Sequence, residues 1–253
     1  MPPMKQLADA LPEEHLRSAV RAKDPARRLA HAEAGLTTLA RRDDDEIDPD
    51  IQVLLLRQAY LAHLELRQLR QAADTAERMA EVEGSSLKAV AWADRARALQ
   101  ALGDVEGAIE CQRLAARNAP AHRRSFHHWS LATIQHFSGD VDGALASLKK
   151  GLRLAQKDRP LLAAHAAYVK LDAGRAVPEL QTIRETLAAA PCGQGYGQYL
   201  LGMIAHLIGD RAAAETHLRA FLRRNARLDE AKALTLREEL RRARLALASF
   251  ASS

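Results

Sequence analysis

Apolar positions recur along the chain at three- and four-residue steps, the period of an amphipathic helix. Trp92, Ala96 and Leu99 share one such face with Arg95, and Ala108 and Ala115 share the next with Gln112, before Pro120 stops the run. Between the two faces stands Leu102-Gly103-Asp104, and turns of the same kind follow at Ser138-Gly139-Asp140, Ala173-Gly174-Arg175 and Ile208-Gly209-Asp210. Gly103 and Gly139 are 36 positions apart, and the next two steps are 35 each. A helix that closes in the left-handed conformation tolerates glycine best, and a following Asp can cap the next helix. Each turn therefore joins a first helix (A) to a second (B), and the fixed period predicts stacked helical hairpins that bury their apolar faces on their neighbours.

The frame extends in both directions. Thirty-six positions before Gly103 stands Arg67, and Leu56, Ala59, Ala72, Ala76 and Met79 keep the register, so a further hairpin precedes without its turn glycine. Residues 12–42 read as one more degenerate hairpin, broken at Lys23-Asp24-Pro25, and the acidic stretch Asp43–Pro49 reads as an exposed connection. Beyond Asn225 a final helix over about residues 228–249 has no partner in the pattern and suits a capping helix. The expected organisation is thus 1–49, a degenerate hairpin and linker; 50–226, about five repeats; and 227–253, a cap.

In this frame the chain resembles the tetratricopeptide repeat family. The family spacing Trp-x2-Leu-Gly-x2-Tyr, Ala-x3-Phe-x2-Ala, Pro is met by Trp92, Ala96, Leu99, Ala108, Ala115 and Pro120, with Arg95 and Gln112 departing. Leu131, Ala132, Ala144 and Leu148 match in the next repeat, and Leu201, Gly202, Ala205, Ala214, Leu218 and Phe221 in the last. Around Gly174 the fit rests on Ala166, Ala167, Ile183 and Pro191, with Glu179 where a small alanine normally stands. The resemblance implies an all-α fold, a right-handed superhelical solenoid of antiparallel helix pairs with a C-terminal capping helix.

Composition sharpens the fold class more than the function. Ala, Leu, Arg and Glu dominate, and strand-forming runs are absent. No apolar run approaches the roughly 20 residues of a membrane span, and the first residues lack a secretory pattern, so a cytoplasmic protein is expected. Two cysteines, Cys111 and Cys192, make no disulfide framework, and the net charge of +5 permits an anionic partner without demanding one.

Candidate chemistry reduces to surfaces. His127 and His128 point about 100° apart on a helix, without a ligand at the three- or four-residue step that a helical metal site needs, so neither metal nor cofactor is expected. The glycine-rich stretch Pro191–Gly197 precedes a helix but has neither a preceding strand nor a Lys-Ser/Thr pair, and reads as a lengthened loop rather than a phosphate cradle. No catalytic residue is identified, and the chain is not expected to be an enzyme. The last helix carries many arginines interspersed with acids at ion-pairing steps, which reads as a solvated face.

What the resemblance adds is a wall. In the family, helix A lines the concave surface, and transferring those positions gathers Phe126, Trp129, Thr133, His136, Phe137, His165, Tyr168, Tyr196, Tyr199, Met203 and His206. Six of the chain's ten aromatic residues fall there. The equivalent earlier positions hold Arg57, Gln58, Glu65, Asp94 and Arg97, so the groove is expected to be apolar at its C-terminal end and charged at the other. The Lys, Asn and Arg clamp that captures acidic chaperone tails in some relatives is replaced by Leu54, Gln58, Val90, Asp94, Phe126 and Ser130. The expectation is a scaffold or adaptor that binds a peptide or helix of a partner protein in this groove. The alternative is a regulatory module contacting nucleic acid or an anionic surface through the basic C-terminal helix, which the interspersed acids and the lack of interleaved aromatics disfavour.

Overall fold

A computed structural model describes residues 10–42 and 48–250. The described residues are helical throughout, with no strand, and they form two compact units that meet in sequence at Ala119–Pro120. The first unit contains α1 (Pro12–Arg21), α2 (Pro25–Leu39), α3 (Pro49–Glu65), α4 (Leu69–Glu81), α5 (Lys88–Leu102) and α6 (Val105–Asn118), each packed on the next. The second contains α7 (Ala121–Phe137), α8 (Val141–Leu154), α9 (Arg159–Asp172), α10 (Leu180–Ala189), α11 (Tyr196–Leu207), α12 (Arg211–Arg224), α13 (Glu230–Thr235) and α14 (Arg237–Ser249). There α7 pairs with α8, α9 with α10 and α11 with α12, and α9 also packs on α11. Consecutive helix pairs packed on one another are the architecture the glycine spacing predicts.

The pairs close through one repeated device. At Gly139 the backbone turns left-handed, with φ of 87°, and Asp140 N–H reaches the Gln135 carbonyl while Gly139 N–H reaches that of His136. These two bonds satisfy carbonyls that the end of α7 leaves open. Asp140 then turns its carboxylate onto the Gly143 N–H at 2.9 Å and caps α8, as Asp104 and Asp210 cap α6 and α12. After Gly174 the capping position holds Arg175, and the next helix, α10, starts only at Leu180. Glu179, which the repeat frame places at a packing position, is exposed and lies just before α10.

The α3–α4 turn uses the same device without its glycine. Arg67 itself adopts φ of 59°, with Gln68 N–H on the His63 carbonyl and Arg67 N–H on that of Leu64. A side chain in this conformation costs roughly 1–2 kcal/mol. Arg67→Gly is therefore expected to raise the unfolding free energy by about 1 kcal/mol in urea denaturation. A loss of stability instead would show that the arginine's own contacts outweigh the backbone strain.

Alanines fix how closely the paired helices approach. Ala72, Ala76, Ala96, Ala108, Ala115, Ala132, Ala144, Ala205 and Ala214 are completely buried, and a larger residue at any of them would push two helices apart. At the N-terminal end, the break expected at Lys23-Asp24-Pro25 separates α1 from α2, with Asp24 capping α2 through the Ala26 N–H. Asp48 caps α3 and Pro49 begins it, whereas residues 43–47 of the expected acidic linker, and residues 1–9, on which the expectation of no secretory pattern rests, lie outside the described residues. The last helix differs from its expectation: the chain breaks at Leu236, giving the short α13 and the longer α14 instead of one helix.

Candidate functional site

In the first unit the charged inner positions neutralise each other. Asp94, on α5, is 1 % exposed and accepts from Arg57 of α3 at 2.8 Å and from Arg97 one turn along its own helix. A buried carboxylate held between two guanidiniums is a satisfied structural cluster, and its charge would be stranded only if both arginines were taken away. Arg28 and Glu65 form a similar pair between α2 and α3.

The second unit gathers the aromatic residues. Helical spacing puts Phe126, Trp129, Thr133, His136 and Phe137 along one side of α7, His165 and Tyr168 on α9, and Tyr196, Tyr199, Met203 and His206 on α11. Their rings meet mostly edge to face: Phe126 with Trp129 at 5.9 Å between centroids, Trp129 with Tyr196 at 4.9 Å, His136 with Tyr168 at 4.7 Å, and Tyr168 with Tyr199 at 5.9 Å. Such geometry sets the positive edge of one ring against the negative face of the next. Phe221 of α12 closes the row against Tyr199.

A hydrogen-bonded chain runs through these rings. Trp129 Nε1–H donates to His165 Nδ1 at 2.8 Å, His165 Nε2 lies 3.4 Å from His136 Nδ1, and His136 Nε2 lies 3.0 Å from Asp172 Oδ2. Indole can only donate, so His165 Nδ1 carries no proton and His165 donates from Nε2, which in turn makes His136 donate from Nε2 to the carboxylate. Both imidazoles are satisfied as neutral tautomers pointing the same way. Burial, with His136 alongside, pushes His165 down to about 3, which matches its neutral role. The bond from His136, with Arg242 adding to it, holds Asp172 below the ordinary carboxylate range. Trp129 and His165, like His136 and Asp172, are 36 positions apart, so the chain crosses from one repeat to the next at equivalent positions.

The row is largely covered. His136, His165, Tyr168, Tyr199 and Met203 are buried, so an open wall of all eleven residues is not what the structure contains. Trp129, Thr133, Phe137, Tyr196 and His206 are partly buried, and Phe126 is 38 % exposed. Part of the cover is α14, which packs on α11 and α12 and buries Glu239, Leu240, Ala243 and Ala246. Arg242 donates to Asp172 Oδ2 at 3.0 Å, to the Tyr168 hydroxyl at 3.2 Å and to Glu238 at 2.9 Å, and its guanidinium lies 4.7 Å from the centre of the Phe137 ring. The Tyr196 hydroxyl donates to Glu239 at 3.0 Å, and Phe250 sets its ring edge-on to His206.

Sequence reasoning missed Asp172, Glu239 and Arg242. The signal for Asp172 was its place one repeat after His136. The other two stand on a helix outside the repeat frame, and the reading of that helix as a solvated face holds for Arg237, Arg241 and Arg244 but not for Glu239 and Arg242, which turn inward. Burial pushes the Glu239 carboxyl up to about 7, against the lowering effect of the Tyr196 hydrogen bond. At Pro191–Gln194 the glycine-rich stretch makes a 3-10 turn that leads into α11. Among the described residues no three His, Cys, Asp or Glu side chains come together as a metal site, and no helix is long and apolar enough to cross a membrane.

Residues 89–122, which span α5, α6 and the start of α7, match the family model of the tetratricopeptide repeat. No curated protein matches the chain.

Proposed function

We propose that this chain, a helical repeat protein of the tetratricopeptide type, is a scaffold or adaptor that holds a helical segment of a partner protein on the aromatic row of its second unit and performs no reaction of its own. Repeats of this type generally mediate protein–protein contacts, which supports the class of function. One observation supports the place: the exposed Phe126 and the partly buried Trp129 beside it continue into a row of rings against which a helix, α14, already lies. Large rings at the edge of a buried cluster are the anchors that dominate interface energetics. Helix-in-groove recognition fits a surface whose contacts recur every three and four residues.

The experiment places a photo-reactive phenylalanine at position 126 or, as a control, at the exposed Lys149 of α8. The label at 126 is expected to capture a protein that the label at 149 does not, and Phe126→Ala is expected to weaken that complex by roughly 2 kcal/mol, about thirtyfold. Equal capture at both positions would remove the site. Capture of nucleic acid, with affinity falling steeply as salt rises, would favour the basic-helix alternative instead.

A further inference from the structure

We infer that α14 is a built-in occupant of the aromatic row, and that the partner helix takes its place by offering the same surface: a stripe of small residues and leucines with an arginine where α14 has Arg242. This rests on the row being the partner's site and names both the kind of partner and its competitor.

The inward face of α14 shows what the row accepts. Leu236, Leu240, Ala243, Ala246, Leu247 and Phe250 recur at three- and four-residue steps, and all but Phe250 pack into the cluster that contains Tyr168, Tyr199 and Phe221. Alanines at the centre bring the helix close but bury little apolar area, so orientation falls to polar groups. Arg242 supplies most of it, reaching Asp172 and Tyr168 on α9 and covering Phe137 on α7. Asp172 is already fixed from its other side by His136, so the row presents a positioned carboxylate to whichever helix lies across it.

The remaining contacts are those of a helix that can leave. Glu239 is 4 % exposed, and its carboxylate is met by the Tyr196 hydroxyl and by its own backbone N–H, with no ion pair to a cation among the described residues. Docking α14 therefore includes a desolvation cost that an apolar residue would not carry. The helix connects to α12 through residues 225–229 and the short α13, so it can swing away without breaking any backbone bond of α11 or α12. Removing it would uncover the buried Tyr168 and free the partly exposed Asp172 carboxylate that Arg242 now pairs.

Hydrogen exchange on the full chain tests this directly, with Arg242→Ala and wild type side by side. In wild type the α14 amides are expected to exchange at least tenfold faster than those of α9 and α11, because the helix opens by itself. Arg242→Ala should speed α14 about a further tenfold and leave α9 and α11 unchanged. A fluorescent peptide of residues 236–250 should then bind the Arg242→Ala chain about tenfold more tightly than wild type, whose own α14 competes better. Exchange of α14 together with α11, or acceleration of α7 to α12 alike, would make α14 part of the core and overturn the inference. Equal peptide binding by both chains, or binding by neither, would overturn the competition. None of these outcomes depends on the label at position 126, so a latch that fails and a site that fails are told apart.

Discussion

Tyr199→Ala is expected to lower the unfolding free energy of the second unit by about 3–5 kcal/mol, the largest effect of any single truncation along the aromatic row. Tyr199 has no exposed surface, and its ring touches Tyr168, Tyr196 and Phe221 on three sides. Truncation would remove the ring contacts and leave a cavity where α9, α11 and α12 converge. Tyr199→Phe separates the two parts of the side chain. It keeps the ring and loses only the hydroxyl, 3.4 Å from that of Tyr168, and should cost about 1 kcal/mol. Phe126→Ala, at the exposed end of the row, should change stability by under about 1 kcal/mol. Urea unfolding followed by circular dichroism measures all three. A Tyr199→Ala chain within 1 kcal/mol of wild type would mean that the ring is not part of the core.

This contrast explains which parts of the site were legible in the sequence. Glycine spacing revealed the A–B hairpins because each turn needs a residue that tolerates positive φ, and even Arg67 was found by counting where a glycine should be. Transferring the inner-face positions of the family it resembles puts Trp129, His136, Tyr168 and Tyr199 on equivalent sides of successive A helices, and there they meet. Their depth was not legible. Periodicity tells which side of a helix a residue occupies, but the occupant of that side here is α14, which belongs to no repeat and announces its inward face only through Leu240, Ala243 and Ala246 among many charges. Glu239 and Arg242 read as solvated for the same reason: their types are those of a surface helix, and only the tertiary partners Tyr196, Asp172 and Tyr168 turn them inward. The late start of α10 had a visible cause, since Arg175 stands where the other turns carry a capping aspartate.

Glu239→Gln should stabilise the protein at pH 8 by roughly 1–3 kcal/mol and change it little at pH 5. The sign follows from the direction in which the carboxyl is moved. Its ordinary value is 4.5, and burial raises it to about 7 when α14 is docked. A raised group contributes its stability below the ordinary value, and that contribution is lost as pH climbs through the docked value. Above about 7 the docked helix must hold a buried charge, and glutamine removes that cost while keeping an oxygen for the Tyr196 hydroxyl to donate to. The groups facing Glu239 do not blur this window. Tyr196 and Tyr199 on α11 are raised well above the ordinary tyrosine range, Glu238 is lowered by its bonds from Arg241 and Arg242, and Arg242 stays charged throughout. His165 pulls the other way, because an imidazole lowered to about 3 costs stability as pH falls below 6.5. The quantity to compare is therefore the difference between mutant and wild type at each pH, which cancels His165, and thermal unfolding at pH 5 and pH 8 supplies it. A difference that is the same at both values would show that Glu239 carries no buried charge, and α14 would then rest on the row through its apolar stripe and Arg242 alone.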